Sequence, residues 1–209
     1  TFAAAWPDKP LTIVVPFPPG GTSDVIARLI TGPLGEMLKT TVVVENKTGA
    51  NGAIGAAAVA QSSNDHTVLL SDMSSLAINA VMDKALPYKP AQLAGATLLA
   101  YSPHLLCTHP SVAAGNVKEM AELSKKKPIN IASSGIGSAN HLGAVEIALA
   151  TGMKFVHVPF RGGAQSIADV AAGNTQLVLN GMLATLPLVQ GGRLKLLGIS
   201  KRTRMALLP

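Results

Sequence analysis

The chain has 209 residues, of which 48% are hydrophobic, 13% are charged and 3% are aromatic. This length and apolar content supply a core for one large or two modest domains, so the composition excludes a disordered chain. The net charge of +6 comes from scattered cations without clustered aromatic residues, which argues against nucleic-acid binding. Every apolar run is short and interrupted, so none would span a bilayer. Cys107 is the only cysteine, which excludes an internal disulfide.

The first residues have the pattern of a cleaved export signal. Residues 1–5 contain an Ala-x-Ala sequence of the kind that signal peptidase cuts after, and Trp6 and Pro7 follow directly. A flexible tail of small residues is the alternative interpretation. We expect residues 1–5 to be the remnant of a removed signal peptide.

Strand-like and helix-like runs alternate along the first half of the chain, which predicts parallel βαβ units. The predicted elements are strands over 11–15, 41–45 and 67–70, each leading through a loop into a helix, with helices over 22–39, 53–61 and shortly after residue 75. Thr22 or Ser23 is expected to cap the first helix. Two further strands, over 95–101 and 104–108, are predicted to cross toward a second lobe.

The second half repeats this alternation. The predicted elements are helices over 117–126, 139–150 and 164–172 and up to about residue 190, and strands over 129–132, 155–158, 175–179 and 194–199. We therefore expect two α/β lobes. Residues 1–102 are assigned to the first lobe, 103–200 to the second, and 201–209 to the start of a return to the first.

Five strand ends open into loops rich in Gly, Ser, Thr or Asn, and each of these loops begins a helix. Open α/β sheets bind ligands at the carboxyl ends of their strands, where helix N-termini offer unpaired N–H groups to an anion. Ser71 lies in the third of these loops and is assigned to the site. Glycines that only make turns are the alternative for any single loop, but the five together predict an anion site without a lysine.

Standard catalytic signatures are missing. The sequence has no Gly-x-Ser-x-Gly elbow, no Walker lysine and no His-Glu-x-x-His, and Asn140 replaces the third glycine of a dinucleotide fingerprint. We assign no catalytic residue, cofactor or metal. An α/β enzyme or sensor acting on a carboxylic acid stays open as the alternative, with His141 or His157 as general base and Arg161 as the carboxylate anchor.

Ordered motifs run along nearly the whole chain. They include Trp6-Pro-Asp-Lys-Pro10, Pro16-Phe-Pro-Pro-Gly-Gly-Thr-Ser-Asp24, Val42-Val-Val-Glu-Asn-Lys47, Gly49-Ala-Asn-Gly52, Ala132-Ser-Ser-Gly135, His141-Leu142, Val156-His-Val-Pro-Phe-Arg-Gly-Gly163 and Gln190-Gly-Gly-Arg-Leu194. In this order they resemble the substrate-binding receptors of tripartite tricarboxylate transporters, also called Bug proteins.

The resemblance implies a two-lobed α/β protein of the type II periplasmic binding class, with a ligand cleft between lobes that are each a mostly parallel sheet flanked by helices. It implies a periplasmic receptor, not embedded in the membrane, that binds a mono-, di- or tricarboxylate and delivers it to the membrane permease subunits. Members of the family normally continue well beyond a segment like 201–209, so we expect the C-terminal part of the first lobe to be missing.

The resemblance also assigns ligand-binding residues in both lobes. Those of the first lobe are expected to hold one carboxylate mainly through backbone amides, hydroxyls and ordered waters: Phe17, Gly20, Gly21, Thr22, Ser23, Asp24, Ala50, Asn51 and Gly52. Those of the second lobe are expected to contact the other end of the ligand: Ser133, Ser134, Gly135, His141, Arg161, Gly162, Gly163 and Asn180.

Overall fold

A computed structural model describes residues 6–208, so the expected signal remnant at residues 1–5 lies outside the described residues. The chain divides into two compact units. The first contains the described residues up to Ala100 together with Gly137–Ala139, and the second contains Tyr101–Ile136 and the described residues from Asn140 onward. The lobe limits assigned from the sequence stay predictions.

The first unit is built on a parallel sheet of three strands, in the order β2-β1-β3. Its strands are β1 (Leu11–Val15), β2 (Val42–Asn46) and β3 (Thr67–Leu69). Its helices are α1 (Thr22–Leu38), α2 (Ala53–Ala60) and α3 (Asn79–Met82), with 3₁₀ turns at Ala50–Gly52 and Pro90–Gln92 and a π-helical turn at Ser74–Ile78. Because all three strands run in one direction, the loops after them leave the same edge of the sheet.

The central strand β1 positions the rest of this unit. Its residues Ile13, Val14 and Val15 are almost fully buried, as expected for a short apolar strand covered on both faces. One face of α1, which carries Ala27 and the partly buried Ile30, packs on the cluster formed by Ile13 and Val15. This packing brings the N-terminus of α1 to the carboxyl end of β1.

The second unit contains a five-stranded sheet in the order β6-β5-β7-β4-β8. Its strands are β4 (His104–Thr108), β5 (Ile129–Ser133), β6 (Phe155–Pro159), β7 (Leu177–Gly181) and β8 (Lys195–Ile199). Its helices are α4 (Val117–Lys126), α5 (Ala139–Thr151), α6 (Gly163–Ala171) and α7 (Met182–Gln190). β4 pairs antiparallel with β7 and β8, and the other four strands share one direction, so the sheet is mostly parallel, as predicted.

Helices cover both faces of this sheet. Successive side chains along a strand point to opposite faces, and here both faces carry buried residues. Leu106 and Leu177 face the cluster that also contains Met120 of α4. Cys107 and Val178, their neighbours in the chain, face the opposite cluster with α6 and α7. Burial raises the pKa of the Cys107 thiol to about 12, so this cysteine is an unreactive core residue.

The observed elements confirm the predicted α/β alternation and correct it in three places. The strand predicted over 95–101 is wrong: the segment forms no strand, and Leu98 and Tyr101 are 82% and 80% exposed. The cap of α1 is Gly21 rather than Thr22 or Ser23. Strand β7 begins and ends two residues later than predicted, so Asn180 is a strand residue instead of a loop residue. No helix among the described residues is long and apolar enough to cross a membrane.

Candidate functional site

The three loops that follow β1, β2 and β3 meet at Gly52. A Cβ atom at this position would lie 2.9 Å from Cβ of Ser75, 3.3 Å from Cζ of Phe17 and 3.4 Å from Cβ of Pro16. Gly52 also has a φ of +87°, a conformation that side chains disfavour. Only glycine therefore lets the three loops approach each other this closely.

The second loop has an unusual backbone. Ala50 and Asn51 both have positive φ angles, +46° and +50°, and residues other than glycine that are held in such strained conformations cluster at functional sites. Asn79, at the start of α3, donates from Nδ2 to the carbonyl oxygens of Asn51 at 3.0 Å and Ala50 at 3.4 Å. Asn51 Nδ2 donates in return to Asn79 Oδ1 at 3.0 Å. Asn79 therefore stabilises this backbone, although the sequence analysis did not assign it to the site.

The third loop is held by buried hydroxyl groups. Ser71 and Ser75 share a short hydrogen bond between their Oγ atoms, and Tyr88 donates from its hydroxyl to the carbonyl oxygen of Ser75. Burial raises the pKa of Tyr88, which keeps the donor protonated. Ser71, assigned to the site from the sequence, is thus bonded within its own loop.

The first loop is fixed by the buried carboxylate of Asp24, which is 3% exposed. Its Oδ2 accepts from the backbone N–H of Gly20 at 3.0 Å and from Arg28 Nε at 2.9 Å. Its Oδ1 accepts from Arg28 Nη2 at 3.0 Å and from Asn46 Nδ2 at 2.9 Å. Burial raises the pKa of Asp24, but the hydrogen bonds from Arg28, Gly20 and Asn46 outweigh burial and hold the pKa below its ordinary value.

Asp24 lies in the first turn of α1, a position typical of acidic residues that interact with free N–H groups. It does accept one backbone N–H, that of Gly20, but this residue precedes the helix and the other three bonds come from side chains. The sequence signal for Arg28 was available, because Asp and Arg four residues apart lie on one face of a helix.

Two buried side-chain oxygens in residues 6–208 have no hydrogen-bond partner: Thr22 Oγ1 and Asn51 Oδ1. Both belong to residues assigned to the site from the sequence, one in the first turn of α1 and one in the loop after β2. Because nearly all buried polar atoms in native proteins are paired, these two atoms are candidates for bonds to a ligand or to bound water.

In the second unit, the loop after β5 is tied to β6 through His157. Ser133 Oγ lies 2.6 Å from His157 Nε2 and also contacts the backbone of Gly135, accepting from its N–H at 3.1 Å and donating to its carbonyl oxygen at 3.2 Å. The ring of His157 stacks on that of His141, with centroids 3.9 Å apart. Burial lowers the pKa of both imidazoles, and the pKa of His157 is lowered further by the charge of His141.

Close packing also links α6 to β7. Asn180 is buried and donates from Nδ2 to the carbonyl oxygen of Gly163 at 3.0 Å and to Ser166 Oγ at 3.2 Å. A Cβ atom on Gly163 would lie 2.8 Å from Nδ2 of Asn180, so this pairing requires glycine.

The other two assigned side chains of this unit differ in their contacts. Ser134 Oγ accepts from Asn140 Nδ2 at 2.9 Å. Arg161 is exposed and forms no ion pair with another described residue.

The structure thus brings the assigned residues together within each unit. In the first unit they lie in the three loops around Gly52 and in the first turn of α1. Arg28, Asn46 and Asn79 support them, although these three residues were not assigned to the site from the sequence. In the second unit the assigned residues follow β5 and β6 or end β7, adjacent strands of one sheet. Among the described residues, no three His, Cys, Asp or Glu side chains are grouped so that they could hold a metal ion.

The contact around Gly52 gives the first prediction. Gly52→Ala is expected to destabilise the protein more than Gly152→Ala, a matched change at a φ of +70° where no heavy atom lies within 4 Å of the added Cβ. The left-handed backbone costs about 1 kcal/mol in both variants, and the contact with Ser75 adds about 1–3 kcal/mol in Gly52→Ala. Urea unfolding measures both values. Equal losses of stability would show that the loops do not need the space at Gly52.

The stacked histidines give the second prediction. Because the pKa of each ring is lower in the folded state, the unfolded chain takes up protons first as the pH falls below the ordinary value of 6.5. The free energy of unfolding should therefore decrease between pH 7.5 and 5.5. In His157→Gln, and in the matched variant His141→Gln, this decrease should be smaller. Urea unfolding across the pH range tests this, and an unchanged decrease in both variants would contradict it.

Comparison with known proteins agrees with this architecture. Residues 26–209 match the model of a protein family described as the tripartite tricarboxylate transporter family receptor. Protein BugT of Bordetella pertussis is 32% identical over 212 residues, which cover 99% of this chain and 65% of BugT. A structure described as a periplasmic transporter is 34% identical, with a TM-score of 0.92 over 97% of this chain and 69% of that one. An R. palustris protein solved with adipate is 28% identical, with a TM-score of 0.88 over 95% of this chain and 68% of that one.

The chain spans 62% and 65% of the length of two further relatives, from Pseudomonas and Bordetella pertussis. The family match nevertheless covers most of the sequence, including the loops after β2 and β3 and all of those in the second unit. The chain therefore belongs to the receptor family of tripartite tricarboxylate transporters.

Proposed function

We propose that this chain binds a small carboxylate as part of a periplasmic receptor and delivers it to the permease subunits of a tripartite tricarboxylate transporter. The loops after β1, β2 and β3 bind one carboxylate group of the ligand. The residues assigned in the loops of the second unit, which include Arg161 and His141, are the ligand contacts of that unit. The ligand leaves the protein chemically unchanged.

The observation that carries this proposal is the pair of unpartnered buried oxygens, Thr22 Oγ1 and Asn51 Oδ1. A threonine hydroxyl donates one hydrogen bond, so Thr22 suits a carboxylate oxygen at the N-terminus of α1. Asn51 Oδ1 accepts only, so it suits a water molecule or a ligand hydroxyl. The first N–H groups of α1 have no partner within the helix and add to the attraction of a negative charge.

The family and its structural relatives support the ligand class and the location. One relative was solved with adipate, a dicarboxylate, and another is described as a periplasmic transporter. Recognition by loop backbone and hydroxyl groups fits any carboxylate group, so the spacer between two such groups is left to other contacts. We infer a periplasmic location and a permease partner from the family to which the chain belongs.

The contacts of Ser133 favour binding over chemistry. Ser133 and His157 have the spacing of a nucleophile and its base. However, Ser133 is fully buried, and its hydroxyl is already bonded to the backbone of Gly135. A substrate carbonyl would have no access to this oxygen, which therefore serves to fix the loop.

A panel of carboxylates tests the function. Acetate, succinate, malate, adipate and citrate are added to the purified chain, and its thermal unfolding is followed. A ligand that binds only the folded state should raise the stability by about 2.7 kcal/mol at 100 times its Kd. Mass spectrometry of the recovered ligand should show no turnover. The absence of stabilisation by every member of the panel would contradict the proposed function, and turnover of any member would favour an enzyme.

Thr22→Val tests the site itself. The variant removes the unpartnered hydroxyl and keeps the side-chain shape, so the unliganded protein should be as stable as wild type or more stable. Affinity for the stabilising carboxylate should fall about tenfold or more, because a hydrogen bond to a charged group is lost. Calorimetry measures the affinity.

Thr185→Val is the matched control. The hydroxyl of Thr185 is also buried, but it donates to the carbonyl oxygen of Gly181 at 2.9 Å. This control should lose about 1 kcal/mol of stability and should bind the carboxylate as wild type does. If Thr22→Val loses stability instead of affinity, its hydroxyl is not a ligand contact.

A further inference from the structure

The side-chain carboxylate of Asp24 lies at the helix terminus where the carboxylate of the proposed ligand would bind. Asp24 is in the first turn of α1, and the same helix N-terminus is assigned to an anionic ligand. Asp24 keeps its negative charge, because its pKa is below the ordinary value. Two negative charges within one helical turn repel each other strongly when they are shielded from water. An anion site built around a buried aspartate therefore needs a compensating positive charge.

Arg28 is the positive charge that meets Asp24. Its guanidinium contacts both carboxylate oxygens, at 2.9 Å and 3.0 Å, in a bidentate pair. The Arg28 side chain is 55% exposed, whereas that of Asp24 is 4% exposed. From β2, the group that bonds to Asp24 is the uncharged Asn46, and the charged neighbours Glu45 and Lys47 pair with each other at 2.7 Å.

The same network fixes the shape of the first loop. Asn46 donates from Nδ2 both to Asp24 Oδ1 and to the carbonyl oxygen of Phe17, at 2.9 Å and 3.0 Å. Arg28 Nη2 also donates to Asn46 Oδ1 at 3.3 Å. Asp24 accepts from Gly20 at the other end of the turn. One end of the turn that leads into the helix is thus bonded to Asp24 directly, and the other end is bonded to the charged pair through Asn46.

We propose that Arg28 is a positioning residue of the carboxylate site: it cancels the charge of Asp24, so that the first turn of α1 can accept the negative charge of a ligand. Asp24 holds the loop, Arg28 makes that carboxylate compatible with an anion, and neither residue needs to touch the ligand. This inference rests on the proposed function, because it concerns the same site.

Removal of the two charges, one at a time and together, tests the proposal. Binding of adipate, succinate, malate and citrate is measured by calorimetry for wild type, Arg28→Gln, Asp24→Asn and the double variant. Arg28→Gln should lose about tenfold in affinity or more, because the uncompensated Asp24 repels the ligand. The double variant has no charge at either position and should recover most of that loss. A residue that only braced the loop would give a double variant no better than Arg28→Gln.

The pH dependence gives an independent readout. Affinity of Arg28→Gln should rise relative to the double variant as the pH falls from 7 toward 5, because Asp24 takes up a proton when Arg28 is absent. Arg193→Gln, a matched change at an exposed arginine of the second unit, should bind as wild type does. Equal affinities of wild type and Arg28→Gln would overturn the inference while leaving the proposed function intact. A wild-type chain that binds no member of the panel would overturn both.

Discussion

The space at Gly52 is the constraint on which the site of the first unit depends. Three loops arrive there from three parallel strands, and their atoms would lie between 2.9 and 3.4 Å from any side chain placed at this position. The parallel sheet determines that the loops leave one edge, but it does not determine how closely they approach. That distance is set by a residue without a side chain and by the left-handed backbone of Ala50 and Asn51, which Asn79 stabilises. Strain in this loop is thus offset by hydrogen bonds from a helix that follows a different strand.

The charged residues of the first unit also hold its loops. The proposed site has to attract an anion, and yet its best-buried ionised group is an aspartate. The conflict disappears when Asp24 and Arg28 are treated as one neutral unit whose task is to hold the turn between Phe17 and Gly20. In the proposed site the attraction then comes from the helix N-terminus and from the hydroxyl of Thr22, because the acidic side chain in the first turn of α1, Asp24, is paired with Arg28. Neutral donors of this kind bind a carboxylate without the strong long-range field of a lysine, so the ligand can also leave.

Much of the fold followed from the sequence, because each strand is a short apolar run and each helix begins after a glycine-rich or polar loop. The errors have physical causes. Residues 95–101 have the composition of a strand, but a strand also needs a neighbour with which to exchange hydrogen bonds, and composition carries no information about that neighbour. Asn180 was placed in a loop because Asn-Gly is typical of turns, whereas the ladder with β4 extends through both residues. The assigned residues of the first unit were found through motifs, but Arg28, Asn46 and Asn79 contact the loops across 4 to 29 positions of sequence. The pairings of Asn46 and Asn79 show only in the folded chain, whereas the four-residue spacing of Asp24 and Arg28 was a signal in the sequence.

The second unit uses its polar residues differently, and this bears on how a ligand is distinguished. Ser133, Ser134 and Asn180 are all assigned to ligand contact, and all form hydrogen bonds within the unit. Their partners are His157 and Gly135 for Ser133, Asn140 for Ser134, and Gly163, Ser166 and Gly181 for Asn180. These bonds hold the segment after β5 and the start of α6 in place. Arg161 is exposed and without an ion pair among the described residues, so it is the cation of these loops that is available for a second carboxylate. In the proposed function, this exposed guanidinium is the group of the second unit that suits a carboxylate, because it offers two parallel N–H donors. Under the proposed function, the length and flexibility of the Arg161 side chain bear on which carboxylates the second unit accepts.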